Sequence, residues 1–249
     1  MDWTLVKNVL TPPDGSDGAP FELCAATRDD WKCYVQSEEQ ALKSRRMAWW
    51  DDKVFIVELP GALHENLVGG VQRAITVATG TGSTHLDHHG AAFIDRCSLL
   101  SDGINDLLAY LEPDASFGPF QCLPGAVIPR GFTWDIFHTL KVEIGVHQGW
   151  GPPIDQQEQK AHAWRQCPGV QYVLCIRVGP RLDVREYRLD SIVDGQFEDP
   201  DMQHAPIDDN TAVQLDAWRL LGIPHRCVLR AGFNNPVCVN LCNVVDPVV

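Results

Sequence analysis

Two acidic residues stand out for their surroundings: Asp114, in the Pro-Asp step of LEPDASFGP, and Glu143, 29 residues further on and alone in the apolar run TLKVEIGV. Carboxylates presented from neighbouring strands are the minimum equipment for holding a catalytic Mg²⁺, because hard anionic oxygens suit that ion. Downstream, IDQQEQKAHAWRQCPGVQYVLCIRV carries Lys160 and Trp164 on a polar, helix-prone segment, then turns through Pro168-Gly169 into an apolar strand. Aspartate, glutamate and lysine in that order, each on an element able to face one cleft, point to metal-assisted phosphodiester cleavage. A phosphodiester is shielded by its own negative charge, so such a site must neutralise charge as the transition state develops. The lysine would supply an ammonium for that purpose.

Each of these residues also has a plainer role open to it. Asp114 after Pro113 could be a turn acid at a strand mouth. Glu143 is harder to set aside, since a charge inside an apolar strand is costly to bury unless paired or metal-bound. Lys160 sits in a polar segment where solvated lysines are common, and Glu65, opposite the Leu67/Val71 stripe, suits solvent. Lys141, two positions before Glu143, shares its side of a regular strand. With no cation present, two close carboxylates repel, so removing Glu143 from a metal site is expected to leave the metal-free fold intact or more stable. Removing a structural Glu143 paired with a buried cation such as Arg177 or Lys141 would instead cost about 3–5 kcal/mol.

The elements that must position these groups follow from periodicity and breakers. Residues 1–30 are rich in Pro, Gly and Asp and read as a loose arm, and 37–48 (SEEQALKSRRMA) read as helix. Val54 to Leu59 reads as a strand, and ALHENLVGGVQRAITVA as a helix with Leu67, Val71, Ala74 and Ala78 on one stripe. Strands are expected at Ala91–Ile94, Tyr110–Phe117, Leu140–Val146 and Gln171–Val178, with a helix at Asp155–Gln166 before the last. LDVREYRL reads as a hairpin partner. The core order is thus helix, three strands, helix, strand. Residues 191–211 read as an acidic loop, Ala212–Leu221 as a short helix, and the tail as β-prone.

Composition narrows the class. A chain of 249 residues, 45% hydrophobic and 21% charged, has room for one sizeable core. It lacks an apolar run of eighteen residues and a basic-then-apolar leader, so an intracellular protein, in cytoplasm or nucleus and off the membrane, is expected. Nine cysteines, an odd number without paired C-x₂-C spacing, read as reduced thiols. His225, Cys227, Cys238 and Cys242 are a weak zinc set for the same reason. The HLDHH run (His85, Asp87, His88, His89) reads as a solvent-exposed turn. The net charge of −13 is unlike the basic footprint of a nucleic-acid binder, although eight acids and no Lys or Arg fall between Asp190 and Asp216.

The order αβββαβ, with KVFIVELPGALHENLVGGV, EPDASF, LKVEIGV and DQQEQKAHAWRQCPGVQYVLCI in sequence, resembles the PD-(D/E)XK nuclease superfamily. It is most similar to the Uma-type branch of small restriction-endonuclease-like proteins, over roughly residues 50–190. The resemblance implies an α/β fold: a restriction-endonuclease-like mixed sheet with an αβββαβ core, flanking helices and an irregular C-terminal extension. It divides the chain into an N-terminal arm and helix (1–49), a nuclease-like core (50–190) and an acidic loop with C-terminal extension (191–249). It implies Asp114 and Glu143 as metal ligands with the Ile144 carbonyl as a third, and Mg²⁺ or Mn²⁺ as the ion. The superfamily's usual lysine, two positions after the glutamate, is replaced here by Gly145; the Uma-type branch moves it to the following helix, where Lys160 stands. The activity implied is DNA endonuclease cleavage, with DNA as partner and a homodimer where both strands are cut. Gly145 and the acidic charge favour the rival expectation, a catalytically inactive nuclease-fold protein used for binding or as a scaffold.

Overall fold

The computed structural model describes residues 1–11, 19–59, 61–91, 94–95, 110–121, 123–146, 148–151, 157–194, 196–199 and 203–246. The chain opens with helix α1 (Trp3–Leu10), started by Asp2, whose carboxylate accepts from the Thr4 and Leu5 amides. Strand β1 (Phe21–Ala25) and helix α2 (Arg28–Val35) follow, the latter opened by a reciprocal Thr27–Asp30 capping box. A 3₁₀ turn at Ser44–Arg46 leads into β2 (Met47–Trp50), and β3 (Lys53–Ile56) closes an antiparallel sheet of order β1-β3-β2. Val6, Leu10, Trp31 and Val35 pack from the two helices onto Met47, Val54 and Ile56.

Two expectations change here. The first thirty residues hold two helix starts and a strand, because capping acids and the apolar Val6, Leu10 and Trp31 give the segment a small core of its own. Residues 37–48 are not a helix. Gln40 folds back, its amide donating to the Tyr34 and Val35 carbonyls and its Oε1 accepting from the Ser44 amide. Good helix formers without an apolar stripe do not sustain a helix when a side chain takes over the capping.

Helix α3 (Ala62–Ala78) follows, then β4 (Leu86–His88), a short ladder of β5 (Ile94–Asp95) with β6 (Tyr110–Leu111), then β7 (Ala115–Pro119) and β8 (Leu140–Gly145). Helix α4 (Gln157–Arg165) crosses to β9 (Tyr172–Val178), and β10 (Arg185–Val193) returns beside it, with β11 (Gln196–Phe197) and β12 (Ala205–Pro206) at its margins. The expected Tyr110–Phe117 strand is broken by Glu112-Pro113-Asp114, where proline removes a ladder donor. The main sheet runs β11-β10-β9-β8-β7-β4; β8 and β9 are parallel, and the other neighbours are antiparallel. The chain is therefore mixed α/β.

Strand alternation sorts β8 between two layers. Leu140, Val142 and Ile144 join Leu67, Val71 and Ile75 of α3 in the main core. Lys141 and Glu143 point to the opposite face, where Trp164 and Ala161 of α4 pack with Val173 and Cys175 of β9.

The C-terminal part packs behind α3. Ala212–Leu215 is strand β13 rather than helix, followed by α5 (Ala217–Leu220), β14 (Val237–Asn240) and α6 (Cys242–Val245). Pairing of AVQL with VCVN outweighs helix propensity there, and Asp216 caps only the short turn that follows. The acidic stretch also carries structure, since β10 runs on to Val193 and β11 and β12 pair with it. Among the described residues, no helix is long and apolar enough to cross a membrane.

Candidate active site

Asp114 sits one residue before β7, at the point where that strand begins to pair with β8. Its backbone N–H donates to Val142 O (3.1 Å), and its Oδ2 accepts the Ile144 N–H at 2.7 Å. The Pro-Asp step thus fixes the carboxylate against the outgoing end of β8. The other oxygen, Oδ1, faces His64 Nε2 of α3 at 3.0 Å. Burial pushes the Asp114 pKa upward, but His64, Lys160 and the Ile144 N–H together pull it down to about 2.

Glu143 is buried at the centre of β8, with both oxygens engaged from α4. Trp164 Nε1 donates to Oε1 at 2.5 Å, and Lys160 Nζ donates to Oε2 at 3.3 Å. Lys160 is only 4% exposed, so its ammonium is directed inward, not solvated. Its charge also acts on Asp114. Glu143 of β8 and Lys160 of α4 thus meet directly, and Asp114, at the mouth of β7, feels the charge of the same ammonium. The repulsion expected between the two acids is offset here: Lys160 serves Glu143, and His64 serves Asp114. Removing Glu143 accordingly leaves a buried ammonium short of its counter-charge, which gives the destabilising sign expected of a paired acid rather than that expected of a metal site.

Sequence reasoning missed the second half of this network. Arg46, at the end of the 3₁₀ turn, is 1% exposed and lies 3.1 Å from Glu58 Oε2, 2.5 Å from Glu65 Oε1 and 3.0 Å from His64 Nδ1. Arginine has only donors, so His64 Nδ1 accepts and the neutral ring turns its Nε2–H toward Asp114. Burial lowers the His64 pKa, but Asp114 and Glu58 outweigh that and raise it, with Arg46 opposing. Glu58 is placed because the Val57 and Glu58 amides both donate to Arg46 O, and its Oε1 accepts from the Val146 amide at 3.4 Å. Glu65 is half-exposed at the rim of this chain, joined to it through Arg46 rather than fully solvated. The only sequence signal was an arginine, a glutamate and a histidine beside otherwise apolar runs.

Lys141 shares the Glu143 face but reaches elsewhere. Fully buried, it donates to His138 Nδ1 at 2.7 Å and lies 4.4 Å over the Trp164 ring. Burial drives its pKa down to about 7. His138, which donates from Nε2 to Asp135 O, is pushed by burial and by Lys141 down to about 2. The histidines of HLDHH are not a solvent-exposed turn. Leu86–His88 is β4, the His89 ring lies 4.6 Å from that of His138, and burial lowers the His88 and His89 pKa values.

At Gly145, where the usual lysine would stand, a Cβ would fall 2.3 Å from Gln157 Nε2, which donates to Ile176 O. Of the weak zinc set, His225 stacks on Trp218 and Cys242 Sγ lies 2.8 Å from Asp246 Oδ2. Asp155, where the expected helix begins, and two of the nine cysteines, Cys97 and Cys122, lie outside the described residues.

Two carboxylates beside an ammonium have the donor chemistry for Mg²⁺ or Mn²⁺, and Asp114 with Glu143 would hold the ion. Among the described residues, no three His, Cys, Asp or Glu side chains gather as a preformed metal cluster. The carboxylate oxygens carry N–H partners instead, so a divalent cation would exchange with charges the protein already provides. No protein-family model matches the chain, and a comparison with curated proteins finds none similar to it.

Proposed function

We propose that the chain is a PD-(D/E)XK-type phosphodiesterase, a DNA endonuclease dependent on Mg²⁺ or Mn²⁺, with Asp114, Glu143 and Lys160 at its centre. The observation that carries this reading is the direct meeting of Glu143 of β8 with Lys160 of α4, whose charge also reaches Asp114 at the mouth of β7. Counting only the strands of the main sheet, with β5 and β6 set apart as a separate ladder, α3, β4, β7, β8, α4 and β9 follow one another and β8 and β9 are parallel, which supports it further. When bound, a divalent cation supplies Lewis-acid polarisation of a phosphoryl oxygen and an acidified water. Asp114 is oriented for that cation by the Ile144 N–H and His64. Glu143 is oriented by Trp164. Lys160, released from Glu143, offsets charge growing on the phosphoryl oxygens. The apolar walls around Glu143 lower the local dielectric and strengthen each of these interactions.

A second reading rests on a specific observation: Asp114 and Glu143 are 6% and 1% exposed and already bonded to protein donors. A self-neutralised cluster of this kind also suits a nuclease-fold protein that binds without cutting. Supercoiled plasmid with Mg²⁺ or Mn²⁺ separates the two. Nicking by the wild type, lost in Asp114→Asn and in Glu143→Gln while each variant still melts cooperatively in EDTA well above the assay temperature, supports the enzyme. Absence of nicking, together with no cation-induced rise in melting temperature, overturns it in favour of the inert cluster.

A further inference from the structure

The small N-terminal sheet and its two helices line a cavity of about 360 Å³, and none of its lining residues belongs to the acid pair's network. Its walls are Trp3 of α1, Trp31 and Tyr34 of α2, and Met47, Val54 and Ile56 of the strands. The polar atoms at its edge are largely committed. The Tyr34 hydroxyl donates to Leu42 O at 2.6 Å and accepts the Leu42 N–H at 3.1 Å. A ligand inside therefore finds apolar and aromatic surface rather than hydrogen-bond partners, and its body must be apolar.

One side chain in the lining is charged, and it is an acid. Asp30 lies at the exposed mouth, where the capping box fixes one of its oxygens: Oδ2 accepts from the Thr27 N–H at 3.0 Å and from the Thr27 hydroxyl at 2.6 Å. Its Oδ1 carries no hydrogen bond among the described residues. A carboxylate already oriented by the backbone, beside Trp3, Trp31 and Tyr34, is the complement of an organic cation. The carboxylate pairs with the charge, and the ring faces attract it through their quadrupoles. A carboxylate-bearing ligand would meet Asp30 as a like charge, in a protein of net charge −13.

We propose that this cavity is a binding site for a small organic ammonium whose aromatic or aliphatic body fills the apolar chamber while its charged nitrogen rests against Asp30. At roughly 30 Å³ per buried heavy atom, by analogy with the share of a water molecule, the volume accommodates a body of about a dozen heavy atoms. That exceeds a lysine side chain and favours a free amine over the side chain of a peptide.

Three probes sharing one body test this on the full chain by calorimetric titration: 2-(1-naphthyl)ethylamine, 2-(1-naphthyl)ethanol and 1-naphthylacetate. The amine should saturate at one site and bind about ten-fold more tightly than the alcohol, the carboxylate being weakest, as a partly exposed cation site predicts. Asp30→Asn, with folding checked by thermal melt, should bring the amine to the level of the alcohol. Ala41→Trp, which places a ring among the lining residues, should abolish binding of all three. Equal affinity for amine and alcohol, an amine preference that survives Asp30→Asn, or no saturable binding at millimolar probe would each overturn the assignment. None of these results depends on phosphodiesterase activity.

Discussion

Lys160→Met removes the ammonium that faces Glu143 and leaves a carboxylate 1% exposed on the central strand. Breaking a buried pair from one side costs about 3–5 kcal/mol, and the bond from Trp164 Nε1 to Glu143 Oε1 places this case toward the lower end. For a chain of this size each kcal/mol moves the midpoint by about 2–4 °C, so a fall of roughly 6–12 °C is expected. Glu143→Gln keeps an acceptor for Trp164 and leaves Lys160 beside Asp114, so its cost should be smaller, about 1–3 kcal/mol. The double variant removes both charges together and should be more stable than the sum of the singles by about 2 kcal/mol. Differential scanning calorimetry in EDTA measures all four proteins. Repeating it with Mn²⁺ at about a hundred times its dissociation constant should add about 2.7 kcal/mol to the wild type and nothing to Glu143→Gln. Additive singles, or a Lys160→Met midpoint within a degree of wild type, would refute the claim that this pair is a coupled buried unit.

Three further outcomes follow from the same geometry. His64→Asn should leave Asp114 Oδ1 without its facing N–H and move acid unfolding to higher pH. Asp114, held at about 2 in the fold, contributes stability that is present above its unfolded value near 3.9 and lost as pH falls through 2, and acid titration of the far-ultraviolet signal reads the change. Lys141, with a folded pKa of about 7 against about 10.4 unfolded, binds fewer protons in the fold between those values, so stability should rise from pH 7 to 8.5 by up to about 1.4 kcal/mol per unit. Urea midpoints should show that rise in wild type and not in Lys141→Met. Gly145→Lys, which places a lysine at the superfamily's usual position, should destabilise by about 1–3 kcal/mol through collision with Gln157 and not raise nicking above the wild type, as melting and nicking assays together would show.

The local elements around the acid pair were legible in the sequence because they follow short-range rules. A lone Glu143 in an apolar run has to be buried and paired, the 3.6-residue stripe of α3 must face a sheet, and Pro168-Gly169 has to separate α4 from β9. The sequence leaves the inward turn of Lys160 as one of two roles, since the polar segment around it gives no stripe. Tertiary packing decided it, by placing Trp164 and Ala161 of the same helix against β8 and β9. The Arg46–Glu58–His64–Asp114 chain was beyond sequence reasoning for a related reason. Its members come from a 3₁₀ turn, the exit of β3, the start of α3 and the mouth of β7, and no periodicity links charges so far apart. AVQL and SEEQALKSRR went the other way: their propensities favoured helix, and a partner strand in one case and the Gln40 side chain in the other overrode them. By itself the sequence determined which charges must find partners inside this protein. Only the tertiary structure decided which partners they found, because burial makes pairing compulsory while long-range contacts alone choose the pair.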